Sequence, residues 1–202
     1  VAEDDVDNPD YYIHVATIYR QNREEVTLDK ISDYIECAAI AGEDRRFYDH
    51  GGVDLPSLIR AAVGQFSGKS DSGGASTLTM QTVRNILQQQ ALNNDELTEE
   101  EKRDAINAAL DPTLDRKIKE MKLAIGLERN YTKEEILQGY LNIAGFGGNT
   151  YGVQAAAQQY FSKDAADLTI AEAASLIAIV QYPNLRDLQN PEHYPANEER
   201  RN

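Results

Sequence analysis

Glu43, Asp44, Arg45, Arg46, Phe47, Tyr48, Asp49 and His50 stand in one unbroken run that ends in Gly51-Gly52. If the run is helical, Glu43, Phe47 and His50 fall at i, i+4 and i+7 and share a face. A carboxylate, a ring and an imidazole on one stripe suit a stitched-in core feature. They equally suit a catalytic carboxylate with its support. The stretch by itself does not choose between the two.

A second group is Arg116-Lys117-Ile118-Lys119-Glu120. At helical spacing Arg116, Lys119 and Glu120 share a face and Lys117 turns away. One reading is a solvated face with an i,i+4 ion pair between Arg116 and Glu120. The other is a carboxylate held among cations beside a polyanionic ligand. A third group runs over residues 73–85, Gly-Gly-Ala-Ser-Thr-Leu-Thr-Met-Gln-Thr-Val-Arg-Asn. A glycine-rich loop feeding a helix start can offer backbone N–H groups to phosphate or pyrophosphate, with Ser76 and Thr77 at the mouth. It can also be an ordinary Ser/Thr N-cap. No Gly-Lys-Ser/Thr follows the glycines, so it is not a P-loop.

These groups need elements to hold them. The spacing predicts a short strand over residues 11–19 after an acidic lead-in over residues 1–10. It predicts a helix from residue 28 to about 49 and another from 55 to about 66, with Pro56 in its first turn. A loop over 67–76 leads to a helix from 78 to about 90. A short acidic helix over about 99–110 falls in a segment, 91–111, that reads as an insertion. Long periodicity resumes from 114 to about 129. Two capping boxes, Thr132 with Glu135 and Thr169 with Glu172, open helices to about 143 and 180, with an alanine-rich helix from about 153 to 160 between them. Pro183, Pro191 and Pro195 break the tail. The class is mainly α.

The 202 residues can bury a core without staples, and the net charge of −14 argues against nucleic acid as a partner. The charge is uneven: residues 95–104 hold six acids against Lys102 and Arg103, whereas residues 116–133 hold six bases and two acids. The candidate chemistry therefore sits in neutral-to-basic surroundings that suit an anionic ligand. Cys37, in an apolar run, is expected to be a buried inert thiol. The opening at Val1 and the end in Glu199-Arg200-Arg201-Asn202 are read as those of a piece of a longer protein, truncated at its C-terminal end.

Taken in order, the Glu43 run, residues 73–85, Arg116 to Glu120, Tyr140-Leu141-Asn142 and Tyr151-Gly152-Val153-Gln154-Ala155-Ala156-Ala157 closely resemble glycosyltransferase family 51, the peptidoglycan polymerase module of class A penicillin-binding proteins and its single-module relatives. The resemblance covers residues 28–202 as the glycosyltransferase domain, after a lead-in over 1–27 and interrupted by the 91–111 insertion. It implies a lysozyme-like helical fold with a large head lobe, a small mobile membrane-facing lobe and a long cleft. It implies polymerisation of lipid II into glycan strands with inversion at the anomeric carbon. Glu43 matches the general base on the acceptor 4-hydroxyl and Glu120 the second acid, near the donor pyrophosphate.

Asp44, Arg60, Gly74, Ser76, Thr77, Gln81, Arg84, Arg116 and Lys119 match substrate-binding positions, and Phe47 and His50 match support for the Glu43 segment. The resemblance further implies a divalent cation, Mg or Mn, with no metal ligands assigned and no organic cofactor. Implied partners are lipid II, the growing strand, the membrane surface, moenomycin-type inhibitors and a C-terminal transpeptidase domain outside this chain. The implied place is the outer face of a bacterial plasma membrane, reached through an anchor that this chain lacks. Met80 and Arg84 depart from the family's usual glutamine and lysine. The alternatives are a lysozyme-like glycan hydrolase or lytic transglycosylase, and a non-catalytic scaffold that binds lipid II.

Overall fold

The computed structural model describes residues 22–66, 74–111, 113–186 and 188–201. The strand expected over residues 11–19, the acidic lead-in, residues 67–73 of the expected loop and Pro112 lie outside them. The described chain is mainly helical, as expected, with one two-residue parallel pair of strands.

The helices are α1 (Asp33–Glu43), α2 (Leu55–Phe66), α3 (Leu78–Leu92), α4 (Glu99–Leu110), α5 (Leu114–Asn130), α6 (Lys133–Ile143), α7 (Val153–Phe161), α8 (Ile170–Gln181), α9 (Pro183–Arg186) and α10 (Tyr194–Arg201). Thr132 and Thr169 close the two expected capping boxes, and Thr98 closes a third at the start of α4. The strands are β1 (Asn22–Arg23) and β2 (Thr150–Tyr151). Asn142 ties the stretch after β1 to α6, its Oδ1 accepting from the Val26 N–H at 2.9 Å and its Nδ2 donating to the Val26 carbonyl at 2.8 Å.

The helix expected over residues 28–49 is broken. A 3-10 turn at Leu28–Lys30 precedes α1, which stops at Glu43, and another turn follows at Phe47–Asp49. Ser32 caps the start, accepting from the Tyr34 N–H and donating to the Leu168 carbonyl at 3.0 Å. Asp44 then leaves helical geometry, at φ −156° and ψ 79°. Glu43, Phe47 and His50 therefore do not share one helical face.

The main core joins Ile35 and Ala39 of α1, Phe47, Leu78, Tyr140 and Leu141 of α6, Val153 and Ala156 of α7, and Leu176 and Ile179 of α8. A smaller one joins Met80 and Val83 of α3 to Ala124 of α5. Cys37 is exposed, contrary to expectation. With Ile35 and Ala39 facing inward, position 37 falls on the opposite side of α1. The expected insertion carries α4, which packs along α3. α10 packs on α8, where the fully enclosed Asn197 donates to the carbonyls of Ser175 at 2.9 Å and Arg186 at 3.1 Å. By contrast α2 leaves Leu55, Ile59 and Val63 exposed, and α5 leaves Leu114 and Ile118 exposed.

The turn after His50 depends on Gly52. Its φ is +93°, and a Cβ there would stand 2.7 Å from the backbone carbonyl of Ala124. Only glycine lets this turn lie directly on α5. Gly52→Ala is expected to lose about 2 kcal/mol or more in urea denaturation. A loss below about 0.5 kcal/mol would show that α5 yields and that the close approach is not a constraint.

Candidate active site

Glu43 is the last residue of α1 and its side chain is 8% exposed. Its Oε2 accepts from Gln81 Nε2 at 3.1 Å, and its Oε1 lies 3.4 Å from Arg200 Nη2. Gln81 is oriented from its other end, where Oε1 accepts from the Tyr140 hydroxyl at 3.4 Å. Burial, and then the nearby Glu43, push the Tyr140 phenol well above its usual range, with Arg84 pulling the other way. Tyr140 is thus kept as a donor. It takes the amide oxygen of Gln81 and leaves the amide nitrogen to face Glu43.

The neighbouring Asp44 does something different. Its buried Oδ2 lies 2.9 Å from His50 Nε2 and accepts from the Leu78 N–H at 2.9 Å. The Gly52 N–H donates to His50 Nδ1 at 3.2 Å, so the imidazole proton sits on Nε2 and points at Asp44. Thr77 closes the same corner, accepting from the Met80 N–H at 3.1 Å and donating to the Gly52 carbonyl at 2.7 Å. Two of the donors at the start of α3 are therefore taken by the protein. The helix mouth is an N-cap built on Asp44 and Thr77, and an anion has no claim on those N–H groups.

Of the two expected support residues, His50 reaches Asp44, while Phe47 is enclosed in the core. The Lys133 ammonium stands 4.4 Å over the Phe47 ring and 2.7 Å from Glu128, which also accepts from the Thr79 hydroxyl at 2.6 Å. This chain of contacts ties the Glu43 segment to α3, α5 and α6.

The second carboxylate, Glu120, is 3% exposed and sits between two arginines. Arg84 meets it side-on, Nε to Oε1 at 2.6 Å and Nη2 to Oε2 at 3.2 Å, and Arg116 Nη1 meets Oε2 at 2.8 Å. A buried carboxylate needs such pairing to be tolerated. The fork-shaped contact is one that arginine can make and lysine cannot. Two guanidinium groups against one carboxylate leave a net positive cluster.

Glu43, Asp44, Arg60, Gly74, Ser76 and Thr77 come together around one cavity of about 770 Å³. Gln81 stands behind Glu43. Arg84, Arg116 and Glu120 form a separate cluster outside that lining, and Lys119 next to them is exposed. Helix α3 joins the two, since Gln81 serves Glu43 and Arg84, three residues on, serves Glu120. Sequence reasoning missed Tyr140 and Arg200 as partners of this site, and also Asp54. The buried Asp54 lines the cavity, accepts from the Ser57 hydroxyl at 2.5 Å and has Arg46 Nε 3.5 Å from its Oδ1. A carboxylate just before a helix opening at Leu55-Pro56 was a cap signal that could have found Asp54. Nothing local marks Arg200. Among the described residues no three His, Cys, Asp or Glu side chains gather as a metal site.

Comparison with known proteins agrees with the ordered motifs. The family model described as Transglycosylase matches residues 12–202. Penicillin-binding protein 1F of Bacillus subtilis (strain 168) is 39% identical over 170 residues, covering 84% of this chain and 21% of that protein. Penicillin-binding protein 1A of Clostridium perfringens (strain 13 / Type A) is 37% identical over 187 residues, covering 88% of this chain and 25% of that protein. Penicillin-binding protein 1A of Aquifex aeolicus (strain VF5) is 37% identical over 179 residues, covering 89% of this chain and 22% of that protein. The chain thus spans between a fifth and a quarter of the length of these curated relatives.

Removing the Asp44 carboxylate would strand two buried donors, the Leu78 N–H and the His50 Nε2–H. Asp44→Ala is expected to lose about 2–4 kcal/mol in urea denaturation, whereas Asp44→Asn, which keeps an acceptor oxygen, should lose about 1 kcal/mol. Equal losses for the two variants would show that the hydrogen bonds are not what Asp44 supplies.

Proposed function

This chain belongs to the transglycosylase family and is a glycosyltransferase, and from that premise we propose that it polymerises lipid II into glycan strands. One observation carries the mechanism. Helix α3 presents an amide to Glu43 and a guanidinium to Glu120, so two carboxylates of unlike character lie along one rail. Glu43 opens on a cavity with Arg60, Ser76 and Thr77; Glu120 is enclosed by cations.

A sugar hydroxyl is a poor nucleophile at neutral pH and needs a base at its oxygen. Glu43 is that base. As the acceptor 4-hydroxyl oxygen bonds to the donor's anomeric carbon, its proton passes to Glu43. The bond from that carbon to the lipid pyrophosphate breaks, and the electron pair leaves with the pyrophosphate. Attack from the face opposite the leaving group inverts the anomeric centre. Pyrophosphate needs neutralisation more than protonation. Arg84 and Arg116, fixed in place by Glu120, supply it, with Lys119 and Arg60 as further cations. The described residues do not form a protein cage for the expected Mg or Mn, and these steps use only the chain's own groups.

The mainly helical fold suits the lysozyme-like architecture of the family. A hydrolase of that architecture would keep a carboxyl protonated as general acid. Here the enclosed carboxylate is spent on two arginines, which favours a phosphate-bearing donor. No helix of the described residues is long and apolar enough to cross a membrane. The exposed apolar residues Leu55, Ile59 and Val63 of α2 and Leu114 and Ile118 of α5 suit a lipid surface on the outer side of the plasma membrane. Moenomycin-type inhibitors would compete at the Glu120 end, and the penicillin-binding relatives support expecting a transpeptidase module in the longer protein.

The decisive measurement is polymerisation of lipid II by folded variants. Glu43→Gln is expected to retain the thermal stability of the native chain and to lose activity by a factor on the order of 10² to 10⁴. Near-native polymerisation by that variant would remove Glu43 as the base.

A further inference from the structure

Glu43 stands where helix electrostatics disfavour a carboxylate. It closes α1, whose last carbonyls carry the negative end of the helix dipole. The group that answers both problems comes from 157 residues away. Arg200 Nη2 donates to the Gly42 carbonyl at 2.6 Å and lies 3.4 Å from Glu43 Oε1. One cation thus satisfies a carbonyl at the end of α1 and faces the carboxylate.

The approach is built from both sides. On α10, one turn before Arg200, Asn197 is locked to the backbone at Ser175 and Arg186, which fixes the helix that carries the guanidinium. On α1, a Cβ at Gly42 would stand 3.2 Å from Ile177 Cγ2 and 3.9 Å from Arg200 Nη2, so the missing side chain leaves the space that α8 and Arg200 fill. Arg200 is also a wall shared by two cavities, the one holding Glu43 and a neighbouring groove of about 670 Å³ lined by Tyr34, Cys37 and Ile170. Its side chain is 32% exposed, so small solutes can reach it.

We propose that Arg200 is a positioning residue for the general base: with Gln81 it holds the Glu43 carboxylate in one orientation at the unfavourable end of α1, which makes the C-terminal helix α10 a working part of the active site. This rests on the reading of Glu43 as base. Two donors on two oxygens fix the plane of the carboxylate, leaving its remaining lone pairs for the acceptor hydroxyl. With Arg200 removed, Gln81 alone leaves the group free to swing, and a misplacement of about 1 Å is enough to cost on the order of 10²-fold in rate.

The test is lipid II polymerisation kinetics on Arg200→Ala, Glu43→Gln and the double variant, with guanidinium chloride added at low millimolar concentration. Arg200→Ala is expected to lose roughly 10- to 100-fold in kcat, with KM within about twofold. Guanidinium, entering the vacated and open site, should restore several-fold of that loss. The double variant should be no slower than Glu43→Gln alone, because both changes remove the same function. Arg200→Ala at near-native kcat, or a double variant slower by the product of the single losses, would overturn the proposal. A defect confined to KM would also overturn it, since that marks a direct substrate contact. The two readings fail differently. An active Glu43→Gln removes the base itself, whereas an inactive Glu43→Gln beside an active Arg200→Ala removes only the positioning role.

Discussion

A carboxylate at the C-terminal end of a helix faces the negative end of the dipole, while one at an N-terminal end is stabilised. Glu43 and Asp44, adjacent in sequence, occupy one place of each kind. Asp44 caps α3, its Oδ2 accepting from both Leu78 and His50. Glu43 closes α1, and its contacts come from side chains on α3 and α10. The break between α1 and the turn at residue 47 is what sends these two adjacent carboxylates to different partners.

Much of the remaining architecture serves that break. Helix α3 begins on Asp44, so its register is set at the turn, and its next residues follow. Thr79 reaches Glu128, Gln81 reaches Glu43 and Arg84 reaches Glu120. Met80 and Val83, between these, bury against Ala124 of α5 and keep the rail in place. Tyr140, fully enclosed in the main core, fixes the Gln81 amide from behind. Gly52 contributes in three ways: its N–H sets the His50 tautomer, its carbonyl holds Thr77, and its lack of a side chain lets the turn touch α5.

The elements that local chemistry specifies were legible in the sequence. Threonine caps with a glutamate three positions on opened α6 and α8 where the spacing placed them, and the apolar periodicity of α2 and α5 placed those helices. The i,i+4 pair of Arg116 and Glu120 was legible too, because helical spacing alone brings those side chains together. The stop at Glu43 was not. No glycine or proline stands at positions 44–50 to mark it, and it comes from Asp44 turning to a helix that begins 34 residues later. Cys37 was misplaced for a related reason: an apolar run does not show which of its residues a neighbouring helix will cover. Arg200 was out of reach, since its partner lies 157 positions earlier and its own neighbourhood, Glu198 to Arg201, has the composition of a solvated helix end.

Burying an acid where the proposed reaction would stabilise an anionic leaving group looks counterproductive, and the geometry of Glu120 resolves the difficulty. Arginine side chains are long and lose several rotatable bonds when they are fixed, a cost of up to about 2 kcal/mol each. An unanchored pair would incur that cost on meeting the substrate. Glu120 incurs it during folding, by gripping Arg84 at two points and Arg116 at a third. The cluster remains positive by one charge and its donors are already aimed, so in the proposed reaction the field on the departing pyrophosphate would be set beforehand. The arginine at position 84 strengthens this arrangement, since a lysine there would contribute charge without the second anchoring contact. The two glutamates are thus complementary in physical terms. Glu43 is held at its edges, as the proposed base would need to be, and Glu120 is paired with two arginines that it holds still.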